Sequence, residues 1–164
     1  MKKLILMLML FAPMATFAQK FGHVNAVMES LPDFIKARAE VEGQAKAYDN
    51  DLKAMQDEIQ KKYDEYDKTK ATMNETKRNE TEASIQQLMQ KFQQAQQDNS
   101  QALQKLQNEK MQPIVTKLQT AIKNVGKAGG YVYIMDLSSG IPYISDTLSK
   151  DVTAEVKAEI NKLK

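Results

Sequence analysis

Apolar residues recur alternately four and three positions apart along two stretches of this chain. One runs Val41, Ala45, Tyr48, Leu52, Met55 and Ile59, and keeps its register through Lys62, Tyr66, Thr69 and Met73. The other runs Ile85, Leu88, Phe92, Ala95, Asn99, Ala102 and Leu106. An average spacing of about 3.5 residues holds such positions on one stripe of a helix, the pattern of a coiled-coil seam. Between them stand Asp, Glu, Lys and Gln: residues 38–110 carry 12 basic and 14 acidic side chains. So many charges with so few bulky apolar groups cannot fill a globular core, and the stretch reads as long solvated helix.

Ala71-Thr72-Met73-Asn74, a run of poorer helix formers, separates the two seams. The rival arrangement is one uninterrupted rod. The hairpin is favoured because the polar stretch 69–84 has only Met73 and small residues to pack. The sequence thus predicts an antiparallel helical hairpin over 32–112 with its tip near 70–78, each arm of roughly 60 Å at about 1.5 Å per residue. The seams are loose, with Tyr, Met, Ala and Asn where a rigid zipper has Leu and Ile. Eleven Gln between Gln86 and Gln112 keep the second arm helical while adding little packing energy. Around the tip, Lys68, Lys70, Lys77 and Arg78 face one acid, Glu75, with Met73 among them. This is a candidate contact site for an acidic or apolar partner, since Met offers an adaptable surface; a solvated turn is the plain alternative.

The flanks, 19–31 and 113–164, read as a small body. Phe21-Gly22-His23-Val24-Asn25 is a candidate strand, Pro32 suits a first helical turn, and Ser30 is a candidate cap ahead of it. Pro113 marks an expected end or kink of the second arm. Ile114, Leu118, Ile122 and Val125 then form a fresh stripe, closed by Gly126 and Gly129-Gly130 as a helix C-cap. Tyr131-Val132-Tyr133-Ile134-Met135 is the strongest strand in the chain. Both its faces are apolar, so both need cover. Leu137-Ser138-Ser139-Gly140 is read as a turn into a third strand, Ile141-Pro142-Tyr143-Ile144. Asp151 is the expected cap of a last helix with Val152, Val156, Ile160 and Leu163 on one face. A sheet this small is marginal alone, which predicts a homo-oligomer joined through Val24, Tyr131, Val132, Tyr133, Ile134, Tyr143 and Ile144. The fold class is α+β and mostly α: one domain over 19–164, a small β-body carrying a long hairpin.

The N-terminus has the three parts of a secretory signal peptide: Lys2 and Lys3, an apolar run from Leu4, and Thr16-Phe17-Ala18 before Gln19. Cleavage is expected between Ala18 and Gln19. The apolar stretch 4–18 includes Pro13 and is short for a membrane span, so a soluble exported product is expected. Losing Lys2 and Lys3 turns 23 basic against 21 acidic residues into 21 of each. A neutral chain has no general pull toward nucleic acid or anionic lipid. The chain has no Cys, hence neither a disulfide framework nor thiolate chemistry. His23 is the only histidine, and beside a predicted strand it reads as a packed or edge residue. The chain carries no G-x-S-x-G, Walker loop, H-E-x-x-H or Cys cluster. The glycines at 126, 129 and 130 lead from helix to strand, the reverse of a phosphate-binding loop. No catalytic residue, cofactor or metal is expected.

These residues in this order resemble the Skp/OmpH family of periplasmic chaperones. The likeness rests on the strand ending Val24-Asn25, the low-complexity hairpin, Gln112-Pro113-Ile114 with Ala121-Ile122-Lys123-Asn124-Val125, Gly130-Tyr131 into Tyr133-Ile134-Met135-Asp136, and the terminal Asp151-Val152-Thr153-Ala154-Glu155-Val156. It implies a homotrimer with a barrel-like β-body, whose hairpins hang as tentacles around a cavity. It further implies a non-enzymatic, ATP-independent holding chaperone that keeps unfolded outer-membrane β-barrel proteins from aggregating in transit through the periplasm. Well-studied members are basic and attract anionic lipid; this neutral chain departs from that pattern, and no lipid-contact residue is carried over. A scaffolding coiled-coil protein of the envelope is the reading from another class. A scaffold binds one folded target, a holding chaperone many unfolded ones.

Overall fold

The computed structural model describes residues 19–163; the expected signal peptide, with Ala18, lies outside the described residues. Strand β1, Lys20–Val24, leads through a short 3-10 turn into helix α1, Pro32–Thr69, which reverses into helix α2, Glu75–Gly129. Strand β2, Tyr131–Asp136, a second 3-10 turn, strand β3, Ser149–Asp151, and helix α3, Thr153–Ile160, complete the chain.

The hairpin reverses where the helix formers give out. The five-residue loop 70–74 ends at Asn74, whose side chain caps α2 by accepting the Lys77 N–H at 2.8 Å. The arms run antiparallel: Asp33 lies against Lys117, Glu40 against Lys110, Lys62 against Ser84 and Tyr66 against Glu82. The single-rod alternative is thereby overturned. At the other end, Ser30 does not cap α1. Its hydroxyl donates to the Val27 carbonyl at 2.8 Å, and Leu31 takes the cap position without a side-chain bond. Pro113 does not end α2, which continues for four more turns to Gly129. Proline removes the one hydrogen bond to the Glu109 carbonyl, while Ile114, Leu118 and Ala121 beyond it are buried against the body and hold the helix together.

All three strands are parallel, in the order β2-β1-β3. Parallel neighbours need a crossover of roughly a dozen residues or more; the hairpin is the first crossover and segment 137–148 the second. This corrects the expected β-hairpin into Ile141-Pro142-Tyr143-Ile144. The chain leaving β2 must pass to the far side of β1, so those residues lie on the crossover, and the third strand is Ser149–Asp151. Asp136 sets the departure by accepting the Ser138 N–H at 2.9 Å, and Gly140 takes a left-handed φ of 78°.

The core lies where β1, α3 and the facing ends of α1 and α2 meet. Val24, Val27, Val152 and Val156 are fully buried there, joined by Leu31, Ala37, Ile114, Leu118, Ala121 and Ile160. Each large member contributes about 1.5–3 kcal/mol on burial. Asp151 caps α3 from one position further out than expected, accepting the Thr153 N–H at 2.8 Å; its carboxyl is held below the usual range by its bonds to Thr153.

Candidate functional site

Among the described residues, the outer face of the sheet and the flanks of the arms stand unpartnered. The sheet surface follows from an irregularity in β2. Lys20 pairs with Tyr131 but Phe21 with Tyr133, so Val132 is an extra residue in the ladder. That shift puts Tyr131 and Ile134 on the inner side, packed on the core, and leaves Val132, Tyr133 and Met135 together outside. Val132 is 58% and Tyr133 48% exposed. Phe21 stacks on Tyr133 with ring centroids 4.7 Å apart. The two-sided strand foreseen in the sequence thus has one face covered by its own chain and one bare.

The other residues expected to join copies divide differently. Val24 is 1% exposed, within the chain's own core. Ile134 lies over Gly22 and Gly126. Tyr143 is 79% exposed on the crossover, and Ile144 is half-buried. His23 sits beside the bare face and its Nδ1 lies 2.9 Å from the Ser149 hydroxyl, tying β1 to β3. Asp151 is opposite His23 in register but spends its carboxylate on α3, so the three groups form a strand link rather than a relay. Among the described residues no group of His, Asp or Glu is placed to hold a metal.

Along the arms, the seam positions 41, 45, 48, 52, 55, 59, 62 and 66 of α1, and 88, 92, 95, 99, 102 and 106 of α2, are all half-buried. Between the body and the tip, Ile85 is the one fully buried side chain among the described residues. Polar clasps substitute for packing. Lys110 Nζ lies 2.5 Å from Glu40, whose carboxyl it holds below its ordinary value by that bond and its charge. Tyr66 donates to Glu82, and the bond raises the phenol's pKa.

The basic tip is less free than its composition implies. Lys70, at the C-cap of α1, pairs back with Asp67 at 2.5 Å, and Lys77 pairs with Glu80 within α2 at 3.8 Å. Lys68 and Arg78 are exposed and form no ion pair among the described residues, and Met73 is half-buried between the arms. Sequence reasoning passes over Tyr63 and Met89, which stand one place off the seam and face outward near each other. Only the register of the two arms brings them together.

A family profile described as Outer membrane protein (OmpH-like) matches residues 20–160. The chain belongs to the OmpH-like family. Among solved structures, this OmpH-like chain is similar to an OmpH-like candidate outer membrane chaperone of Caulobacter crescentus CB15, with a TM-score of 0.72 and 14% identity over 88% of this chain and 85% of that one. At that identity the likeness is one of fold, a helical hairpin on a small strand body. No curated protein matches the chain. Among the described residues of the OmpH-like chain, no helix is long and apolar enough to cross a membrane.

Proposed function

We propose that this OmpH-like protein is an ATP-independent holding chaperone of the periplasm, which binds unfolded outer-membrane proteins and prevents their aggregation. The observation that carries the reading is the construction of the arms: helices of 38 and 55 residues whose shared seam buries only Ile85 fully beyond the body. Such arms separate and bend at small cost. A holder without an energy source must bind weakly at many points and release when a better partner appears. Several soft arms on one body supply that through avidity. Family membership and the candidate chaperone with the same fold support it.

Assembly follows from the bare sheet face. Parallel sheets are ordinarily covered on both sides, and Phe21, Val132, Tyr133 and Met135 leave this one open. A homotrimer closing these faces on one another is the arrangement we assign, with the arms projecting together. Export fits the same picture: β1 starts at Lys20 and the family match at residue 20, so cleavage after Ala18 leaves the first strand intact. Lys68 and Arg78 at the tip, with Lys70, Lys77 and Met73 beside them, are assigned a role in first contact with acidic segments.

Dilution of a urea-unfolded outer-membrane barrel protein into buffer, followed by light scattering, tests the reading. Suppression that saturates near equimolar trimer and client is the expected result, without nucleotide. Unchanged aggregation at several-fold excess of chaperone refutes it and favours a scaffold.

A further inference from the structure

Away from the body, the arms expose two large apolar side chains, Tyr63 at 48% and Met89 at 42%. Both line the same notch. It measures about 250 Å³ and is walled also by Tyr66, Glu82, Ile85 and Gln86. Ile85 is buried beneath it, and Tyr66 is fixed by donating to Glu82. Seam packing does not require this exposure, since Tyr63 follows the seam residue Lys62 and Met89 follows Leu88.

We propose that this notch seats single aromatic side chains of unfolded polypeptides, an inference that rests on the holding-chaperone reading and gives it a contact site. The size selects the occupant. Pockets for drug-sized ligands run to roughly 300–1,000 Å³, and this one is below that, fitting one side chain. Two rings, Ile85 and a thioether make its apolar walls beside the polar Glu82 and Gln86, and the rings and sulfur favour an aromatic guest through edge contacts and sulfur contacts. A second folded copy does not fit the requirement. A stable interface buries about 1,200–2,000 Å², and the notch is an isolated apolar spot on a polar arm. It also lies roughly 45 Å along α1 from the body, at about 1.5 Å per residue, far from the sheet face. A flexible chain with spaced aromatic residues needs neither area nor a fixed shape. It engages several such notches, one per arm, each weakly.

The chain has no Trp, so a short Gly/Ser peptide with one central Trp reports its own environment when titrated with the full-length protein. The expected result is a blue shift of Trp emission in the wild type. The shift is weakened at least tenfold in the double variant Tyr63→Gln, Met89→Gln, and is retained in Ile35→Gln, which changes an exposed apolar residue at the root of α1, far from the notch. Gln is a good helix former and both notch positions are exposed; unchanged circular dichroism verifies the fold, and Met89→Glu alone gives a second reading. No shift in the wild type, or an equal shift in the double variant, overturns the proposal. So does a lower mass by light scattering in the same double variant, since that places a second copy in the notch. Aggregation assays on the same samples separate the two claims. Suppression without a peptide shift removes the notch alone; a peptide shift without suppression removes the holding role alone.

Discussion

Gly130 closes α2 at φ 66° and ψ 34°, with its N–H directed at the carbonyls of Gly126 and Lys127. A Cβ there meets nothing within 4 Å, so Gly130→Ala isolates the backbone cost of the left-handed region. Urea denaturation should show a loss of about 1–2 kcal/mol. Gly129→Ala acts by another route: its Cβ would overlap the Tyr131 ring, displacing that side chain. The mirror case is Ala26, which holds φ 45° despite its Cβ; Ala26→Gly should raise stability by about 0.5–1 kcal/mol on the same denaturation curve. The first of these positions is legible from sequence, because Gly129-Gly130 follows an apolar stripe and precedes a strand. Ala26 is not, since no Gly or Asn stands at that position. The extra residue at Val132 is equally silent, because a bulge exists only relative to the partner strand.

The arms show what periodicity can and cannot convey. Every apolar seam residue from Val41 to Ile59 and from Ile85 to Leu106 is at least half-buried, since a 3.5-residue repeat depends on helix geometry alone. The unbroken run through Pro113 depends on what lies beyond the proline, which a local rule does not see. Loose seams make two expectations. Tyr48→Leu with Met55→Leu should tighten the hairpin and raise its melting midpoint by circular dichroism, an effect of about 1 kcal/mol for better-matched seam residues, while narrowing the range of client sizes held. The clasp at the root gives a pH signature. Glu40 has its pKa lowered in the folded chain by Lys110, so its contribution is present above the unfolded value and is lost as pH falls through the folded one. Protection of the amides near Glu40, taken relative to the intrinsic exchange rate at each pH, should therefore be lost in the wild type as pH falls below the ordinary carboxylate range. In Glu40→Gln that protection should already be lower at pH 7, and its acid-induced loss should be smaller.

At the scale of the molecule, the mixed class and the hairpin were readable from pattern, whereas the sheet was not. Strand-like composition at 141–144 reveals nothing of which edge a strand must reach, and the parallel order moved the third strand to Ser149–Asp151. The same order leaves the outer face bare, and the proposed trimer depends on it. Val132→Asp, at a site 58% exposed in the single chain, should leave the monomer folded yet give a monomeric mass by light scattering, because assembly would bury an unpaired charge. A trimeric Val132→Asp would place the interface elsewhere. The crossover from β1 to β2 spans the whole hairpin, roughly a hundred residues, and that distance orders the events of folding. A strand at the N-terminus that has to wait for a partner so far away cannot pair while the chain is still emerging, and closing so long a loop unaided is slow. Zipping of the arms from the tip shortens the gap, bringing Asp33 and Lys117 together before either strand is needed. The tentacle is thus the body's own assembly jig: matched deletions of one heptad from each arm should leave folding rate and body stability nearly intact, whereas an unmatched deletion in one arm should stall sheet formation while most helix is already in place.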